Sequence, residues 1–88
     1  MKQSTHIIKK YSLYFYTKDL NNNGLSLLVM DIDDKEVKGV KIGLRKTTTF
    51  SMKRSEFEAL IHSQTITFVE IVPKFVWQEY NTMFTTNS

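Results

Sequence analysis

Residues 41–61 change their hydrophobic pattern from that of a strand to that of a helix. The first part alternates basic and apolar residues, which predicts a strand, and the last part repeats apolar residues at helical spacing. Ser55 and Glu58 match the S-x-x-E capping box, in which each side chain bonds the other residue's backbone N–H. Lys53 and Arg54 come just before that cap, where unpaired helix N–H groups already favour an anion. The stretch therefore predicts a strand-to-helix junction suited to phosphate.

Alternating apolar and polar residues predict a four-stranded sheet ahead of this junction. The predicted strands cover residues 6–17, 25–33, 37–46 and 47–52, and Asn, Asp and Gly fill the turns between the first three. The second strand is apolar on both faces, which is typical of a strand covered on both sides. Gly39 and Gly43 flank the basic face of the third, where they allow either a close approach by a ligand or a bulge.

The first predicted strand has two different faces. The face expected to pack on the core carries Ile7, Tyr11, Leu13 and Phe15. The face expected to meet solvent carries Lys10, Tyr14 and Tyr16, a combination that can stack unpaired bases and hold their phosphates. Tyrosines also favour strands for packing reasons alone, so both interpretations stay open.

Residues 57–72 repeat apolar side chains every three to four positions, which favours one helix from Glu56 to Pro73. The β-branched residues in 65–69 also suit a strand, and that alternative stays open. Pro73 ends or kinks the helix. Residues 75–84 then carry aromatic and apolar side chains at helical spacing, which is typical of a core or dimer contact.

These patterns predict one α+β domain over residues 1–88. A curved antiparallel four-stranded sheet (about residues 6–52) is followed by a capped helix and a second C-terminal helical segment (about residues 55–84). At 88 residues only about 60–65% of the unfolded surface can be buried, so we expect self-association.

Several classes of function are disfavoured by residues that the sequence lacks. It has no cysteine, so thiol catalysis and thiol-bound zinc are excluded, and a small chain without disulfides is expected inside the cell, in the cytoplasm or, for a eukaryotic host or virus, the nucleus. We expect no signal peptide, because the first 19 residues lack an uninterrupted apolar core and a small-residue cleavage site, and no apolar run approaches the ~20 residues of a membrane span. His6 and His62 lack ligand-spaced partners, and no nucleotide-binding or hydrolase motif occurs. We therefore expect a non-enzyme with no cofactor, no metal and no membrane partner.

Basic residues concentrate in one part of the chain. Residues 35–54 contain seven Lys or Arg and one acid, Glu36, whereas residues 55–88 contain four Glu and one Lys. The strands therefore carry most of the positive charge. Asp31 and Asp33, at the end of the second strand, are the residues most able to oppose an anionic ligand there.

Four segments occur in an order seen in a known family: YSLYFYTKDL, LSLLVMDI, VKIGLRK and TFSMKRSEFEAL. Over about residues 11–72 the chain resembles the single-stranded-DNA-binding family of the transcriptional coactivator positive cofactor four, which has bacterial and viral relatives. The resemblance implies protomers paired through helices and basic, aromatic sheet grooves for unpaired strands. It places Phe57 and Leu60 on the buried helix face and matches Lys46 to the lysine before the fourth strand, with Lys41 and Arg45 aligned approximately.

The chain departs from the family pattern at three points. Asp31, Ile32 and Asp33 stand where the family has basic and aromatic groove residues. Threonines replace the glycine before the fourth strand, and the segment after Pro73 lies outside the pattern.

The favoured hypothesis is a homodimer that binds single-stranded nucleic acid with little sequence preference. The expected nucleic-acid contacts are Lys9, Lys10, Tyr14, Tyr16, Lys38, Lys41, Arg45, Lys46, Phe50, Lys53 and Arg54. The expected dimer contacts are Phe57, Leu60, Ile61, Phe68, Trp77 and Tyr80. The alternative is a small viral or mobile-element accessory protein that binds a protein partner through its aromatic residues 75–84.

Overall fold

The computed structural model describes residues 7–17 and 24–86, with side chains described as far as Thr82. Its elements are β1 (Ser12–Tyr16), β2 (Ser26–Ile32), β3 (Glu36–Ile42), β4 (Thr47–Lys53), α1 (Arg54–His62), β5 (Ile66–Ile71) and α2 (Lys74–Thr86). The predicted α+β class is confirmed, with five strands in place of four.

The five strands form one open antiparallel sheet in the order β4-β3-β2-β1-β5. The first four follow one another as hairpins, and α1 then carries the chain across the sheet so that β5 pairs with β1. β2 is central, as its apolar faces predicted, and β4 and β5 are the two edges.

The sheet is covered on both faces by different helices. On the face that we call the α1 face, Tyr14, Leu27, Val29 and Ile66 pack around Phe57, which is fully buried. Tyr14 and Phe57 meet edge to face, with ring centroids 5.0 Å apart. This arrangement adds about 0.5–1.5 kcal/mol beyond the buried area. Phe57 is therefore the centre of the larger apolar cluster.

The opposite face, which we call the α2 face, holds a smaller cluster. Leu28, Met30, Val40 and Val72 are buried there, and the half-buried Val76, Trp77 and Tyr80 of α2 pack against them. The Trp77 ring stacks on Tyr11 at 4.0 Å with planes 5° apart. The C-terminal aromatic segment was predicted as helical core or dimer contact, and within the described residues it serves as core.

Tyr11 joins several of these elements. Its backbone lies in the left-handed region (φ 68°), which costs a bulky residue about 1–3 kcal/mol. Its N–H donates to the Val29 carbonyl (2.7 Å), and its own carbonyl accepts from the Val72 N–H (2.8 Å). Two such hydrogen bonds at about 0.5–1.5 kcal/mol each, with the Trp77 stack, offset the strain.

The first strand begins later than predicted, and the structure also corrects the assignment of its faces. β1 begins only after Tyr11, so residues 7–11 do not continue its alternation; His6 lies outside the described residues. Tyr14 and Tyr16, predicted to meet solvent, are buried on the α1 face. Phe15, predicted as core, is 41% exposed.

The single helix predicted from Glu56 to Pro73 is wrong, because α1 ends at His62 and β5 follows. Gln64 adopts φ 63°, its N–H donates to the Ile61 carbonyl, and the Thr65 N–H donates to the Leu60 carbonyl. This is the hydrogen-bond pattern of a Schellman motif, which ends a helix. The β-branched residues beyond it then form a strand, as the alternative interpretation had it.

The predicted capping box does not form either. The residue at the N-cap is Lys53, with no side-chain cap hydrogen bond, so Ser55 lies one residue inside the helix. Glu58 instead accepts a hydrogen bond from Arg54 Nε at 3.2 Å. The helix therefore begins earlier than the capping pattern indicated.

Gly39 is required by packing between strands. It pairs with Val29, next to the shift in the β2–β3 register between Val29 and Asp31. A Cβ at position 39 would overlap the Leu28 carbonyl oxygen. We predict that Gly39→Ala lowers the free energy of unfolding by about 3 kcal/mol, because backbone atoms must move. Urea denaturation measures the change, and Gly43→Ala, whose Cβ would lie 3.0 Å from the Lys46 carbonyl, should cost less. Equal stability of Gly39→Ala and the parent would contradict this role.

Burial raises the pKa of Tyr14 from 10.0 to about 12, and the Ser12 hydroxyl offsets part of that rise. As pH increases, the unfolded chain therefore loses this proton before the folded protein does, and stability falls between pH 10 and about pH 12. We predict that Tyr14 contributes about 1–3 kcal/mol to this alkaline loss. Urea denaturation of the parent and of Tyr14→Phe below and within that window measures it. A loss of the same size in Tyr14→Phe would assign it to other groups.

Candidate nucleic-acid interface

The predicted nucleic-acid contacts fall into three groups that lie in different parts of the fold. One group is buried, a second lies among acids at one end of the sheet, and a third has no acid partner among the described residues and lies at the other end, while Lys9 belongs to none of the three. The groups do not form the single basic and aromatic face that was predicted.

The aromatic group is buried and cannot stack on bases. Tyr14 is 0% exposed, and Tyr16 and Phe50 are each 9% exposed. Phe50 stacks on Phe57 with ring centroids 6.3 Å apart. The predicted stacking role of these three rings is therefore corrected: helix α1 covers the face to which they point.

The second group of cations lies among acids at the end of the sheet where β2 meets β3. Lys10 Nζ is 3.8 Å from Asp31 Oδ1, and Lys38 Nζ is 3.5 Å from Glu36 Oε1. Lys53 lies opposite Glu36 in the strand register. Exposed pairs of this kind add only about 0–1 kcal/mol of stability. They do neutralise the local charge, so this end has little net attraction for phosphate.

Arg54 is held in the same region. Its Nε donates to Glu58 Oε2 at 3.2 Å, and a terminal guanidinium nitrogen donates to the Asp33 carbonyl at 3.1 Å. These bonds fix the start of α1 against the β2–β3 turn. The phosphate site predicted at the strand-to-helix junction is thus occupied by the protein's own acceptors.

Asp33 shapes that turn. Its Oδ1 accepts hydrogen bonds from the backbone N–H groups of Lys35 and Glu36, both at 2.8 Å. The Glu36 and Lys35 N–H groups hold the pKa of the Asp33 carboxyl below its usual value. Asp31 and Asp33 were expected to oppose an anion. Asp31 is instead the ion-pair partner of Lys10, and Asp33 stabilises the turn.

The third group lies at the opposite end of the sheet, around the β3–β4 turn. Lys41, Arg45 and Lys46 make no ion pair with any described residue. The Gly43 N–H donates to the Lys46 carbonyl at 2.9 Å and closes the turn. Leu44 projects from this turn and is 87% exposed.

Two neighbouring threonines complete what we call the basic turn, which comprises residues 41–48. Thr47 pairs with Ile42 and Thr48 with Lys41, so Thr48 lies beside a lysine on the same face of the sheet. Thr48 is exposed and Thr47 is half-buried. Lys9 also lacks an ion pair among the described residues, but it precedes β1 at the end of the sheet away from the basic turn.

The predicted dimer contacts do not form one surface. Phe57 is buried within the protomer, and Leu60 and Ile61 pack on the same cluster. Trp77 and Tyr80 belong to the cluster on the other face of the sheet. The two helices lie on opposite faces of the sheet, so the predicted contacts from both helices do not belong to a single dimer surface. Phe68, which is 39% exposed on β5, is the member of the set that is most open to a partner.

The aromatic C-terminal segment has mixed accessibility. Phe75 is 74% exposed, whereas Val76 and Trp77 pack on the α2 face. The side chains of Met83 and Phe84 lie outside the described residues. Removal of this segment would uncover Leu28 and Val40, so its first role is structural.

Reasoning from the sequence missed an apolar edge strand. Five of the six β5 residues are exposed, and Phe68, Val69 and Ile71 are 39%, 49% and 50% exposed. An open groove of about 560 Å³ runs beside the strand, lined by Thr17, Ile61, Gln64, Ile66, Thr67 and Phe68. The β-branched run that allowed a strand in this segment was the available signal.

Comparisons with protein-family models, with curated proteins and with solved structures return no match. In residues 7–17 and 24–86, no helix is long and apolar enough to cross a membrane. The same residues contain no group of three or more His, Cys, Asp or Glu side chains placed to hold a metal ion. The geometry of the described residues is therefore the basis for the candidate interface.

Proposed function

We propose that this protein is a non-enzymatic single-stranded nucleic-acid-binding protein that uses the basic turn and acts as a homodimer. The observation that carries the proposal is the separation of its charges. Lys41, Arg45 and Lys46 have no acid partner among the described residues, whereas Lys10 and Lys38 are paired with acids at the other end of the sheet. The acids of the β2–β3 turn also lie at that end, so the net positive charge of the described sheet is greatest around the basic turn.

The side chains of the basic turn suit phosphate contacts. Lysine ammonium groups attract phosphate as point charges, and the Arg45 guanidinium can hold two phosphate oxygens at once. The exposed Thr48 hydroxyl, beside Lys41, can donate a further hydrogen bond. Such contacts carry no sequence information, so little sequence preference is expected.

Single strands are favoured over duplexes by the same turn. The planar guanidinium of Arg45 can stack on unpaired bases. It would supply the stacking that the buried Tyr14, Tyr16 and Phe50 cannot give. Leu44 projects from the turn next to Arg45 and offers an apolar contact to a base that is free of its complement. In a duplex, pairing and stacking keep those base surfaces covered.

We predict salt-dependent binding that depends on the basic turn. With about three phosphates neutralised per protomer, the logarithm of the affinity for an oligo-dT should fall with the logarithm of salt concentration at a slope near −2. The triple variant Lys41→Ala/Arg45→Ala/Lys46→Ala should lose most of this slope and at least about tenfold in affinity at low salt. Fluorescence-polarisation titrations at two salt concentrations measure both quantities.

The matched control also removes three positive charges, but from the opposite end of the sheet. Lys10→Ala/Lys38→Ala/Lys53→Ala should change affinity and slope much less, because acids already neutralise that region. Equal losses of affinity and salt slope in the two triple variants would mean that only net charge matters and would contradict the assignment of binding to the basic turn. Absence of binding by the parent at low salt would remove the proposed function.

We predict a second signature from Arg45. An abasic oligonucleotide of the same length keeps the phosphates and removes the bases, so the parent should bind it more weakly than oligo-dT, by about 1–3 kcal/mol. Arg45→Lys keeps the charge and lacks the guanidinium plane, so it should bind both oligonucleotides more nearly alike. An unchanged preference in Arg45→Lys would show that Arg45 does not stack on bases.

A further inference from the structure

β5 has the properties of a strand that adds another strand. An edge strand presents unpaired backbone N–H and C=O groups, and natural sheets usually block such an edge with Lys, Pro or a covering segment. Ile66–Ile71 contains neither Lys nor Pro, and its exposed residues include Phe68, Val69 and Ile71. The other edge, β4, is polar where it is exposed, and its exposed residues are Thr48, Thr49, Ser51 and Lys53. Among the described residues, β5 is therefore the edge suited to an apolar contact.

The β5 sequence matches itself when it is read in reverse. Tyr16 pairs with Ile66 and Ser12 with Ile71, so both isoleucines lie on the α1 face. Phe15 pairs with Thr67 and Leu13 with Glu70, so both polar residues lie on the α2 face. An uninterrupted six-residue strand would place its two ends on opposite faces. The bulge at Val69 brings them to the same face.

We propose that a second copy of this chain pairs antiparallel with β5 about a twofold axis perpendicular to the sheet. The axis passes between Phe68 and Val69, so the two five-stranded sheets join into one continuous sheet. Ile66 then lies opposite Ile71 of the second copy, Thr67 opposite Glu70, and Phe68 opposite Val69. Every apolar residue meets an apolar one, and the Thr67 hydroxyl can donate to the carboxylate that faces it.

The groove beside β5 gives this register a place for a side chain. Ile61, Ile66 and Phe68, on the α1 side of the strand's first half, form its apolar wall, and the rest of its lining is Thr17, Gln64 and Thr67. The pairing brings Ile71 of the second copy opposite Ile66, and so to this groove. Ile71, which is half exposed in a single protomer, is thus covered by the other protomer, and symmetry repeats this contact twice in the dimer.

Sedimentation equilibrium of the full chain over a concentration series up to about 0.1 mM tests the proposal without nucleic acid. The parent should dimerise, and Ile71→Lys should be monomeric, because it would place an ammonium group in an apolar groove. Leu44→Lys, an equally drastic change at an exposed apolar residue far from β5, should dimerise like the parent. Circular dichroism and thermal melting establish that each variant is folded.

Two substitutions of one residue test the register itself. Thr67→Glu places like charges opposite each other at two symmetry-related positions, and Thr67→Lys places opposite charges there. The dimer dissociation constants of the two variants should differ by about tenfold, with Thr67→Lys the tighter. A monomeric parent, a dimeric folded Ile71→Lys, or equal constants for Thr67→Glu and Thr67→Lys would each overturn the proposal. The β5 pairing deepens the homodimer of the proposed function, so a monomeric parent would remove that homodimer too, whereas oligonucleotide binding by the basic turn is tested separately by the titrations.

Discussion

The burial of both faces of the sheet is the constraint on which the rest of this structure depends. β2 lies at the centre, and four consecutive residues, Leu27–Met30, are buried, two toward each helix. A strand of this kind needs a covering layer on each side. α1 supplies one with Phe57, and α2 supplies the other with Trp77. The parts of the described sheet that the helices leave open are consequently its ends and edges.

Much of the fold could be predicted from the sequence, because hydrophobic spacing reports burial directly. Strands β2 and β4 and the C-terminal helix were predicted from that spacing, as was a helix after β4, although α1 begins at Arg54, earlier than predicted, and ends at His62. The start of β1 was not, because Tyr11 takes a left-handed conformation that its contacts with Val29, Val72 and Trp77 stabilise. Local pattern carries no information about such distant partners.

The errors about the site have a related cause. Tyrosine is compatible with core and with a binding surface, and the choice depended on whether α1 would cover the face that holds Tyr14 and Tyr16. The cations posed the same difficulty. Lys38 and Lys41 are three residues apart, yet Lys38 meets Glu36 on the α2 face while Lys41 lies on the α1 face without an acid partner among the described residues. Charge counts along the chain cannot separate them, whereas strand register does.

The pairing of β1 with β5 also has a consequence for the order in which the chain can fold during synthesis. Tyr16 pairs with Ile66, so about 50 residues must leave the ribosome before β1 gains its second neighbour. Until then, its SLYFY segment presents an open edge rich in aromatic side chains, which is the composition of an aggregation-prone strand. The hairpins of β1 to β4 are local and can form early, while the closing strand arrives late. The nascent chain is therefore most vulnerable before its last quarter emerges.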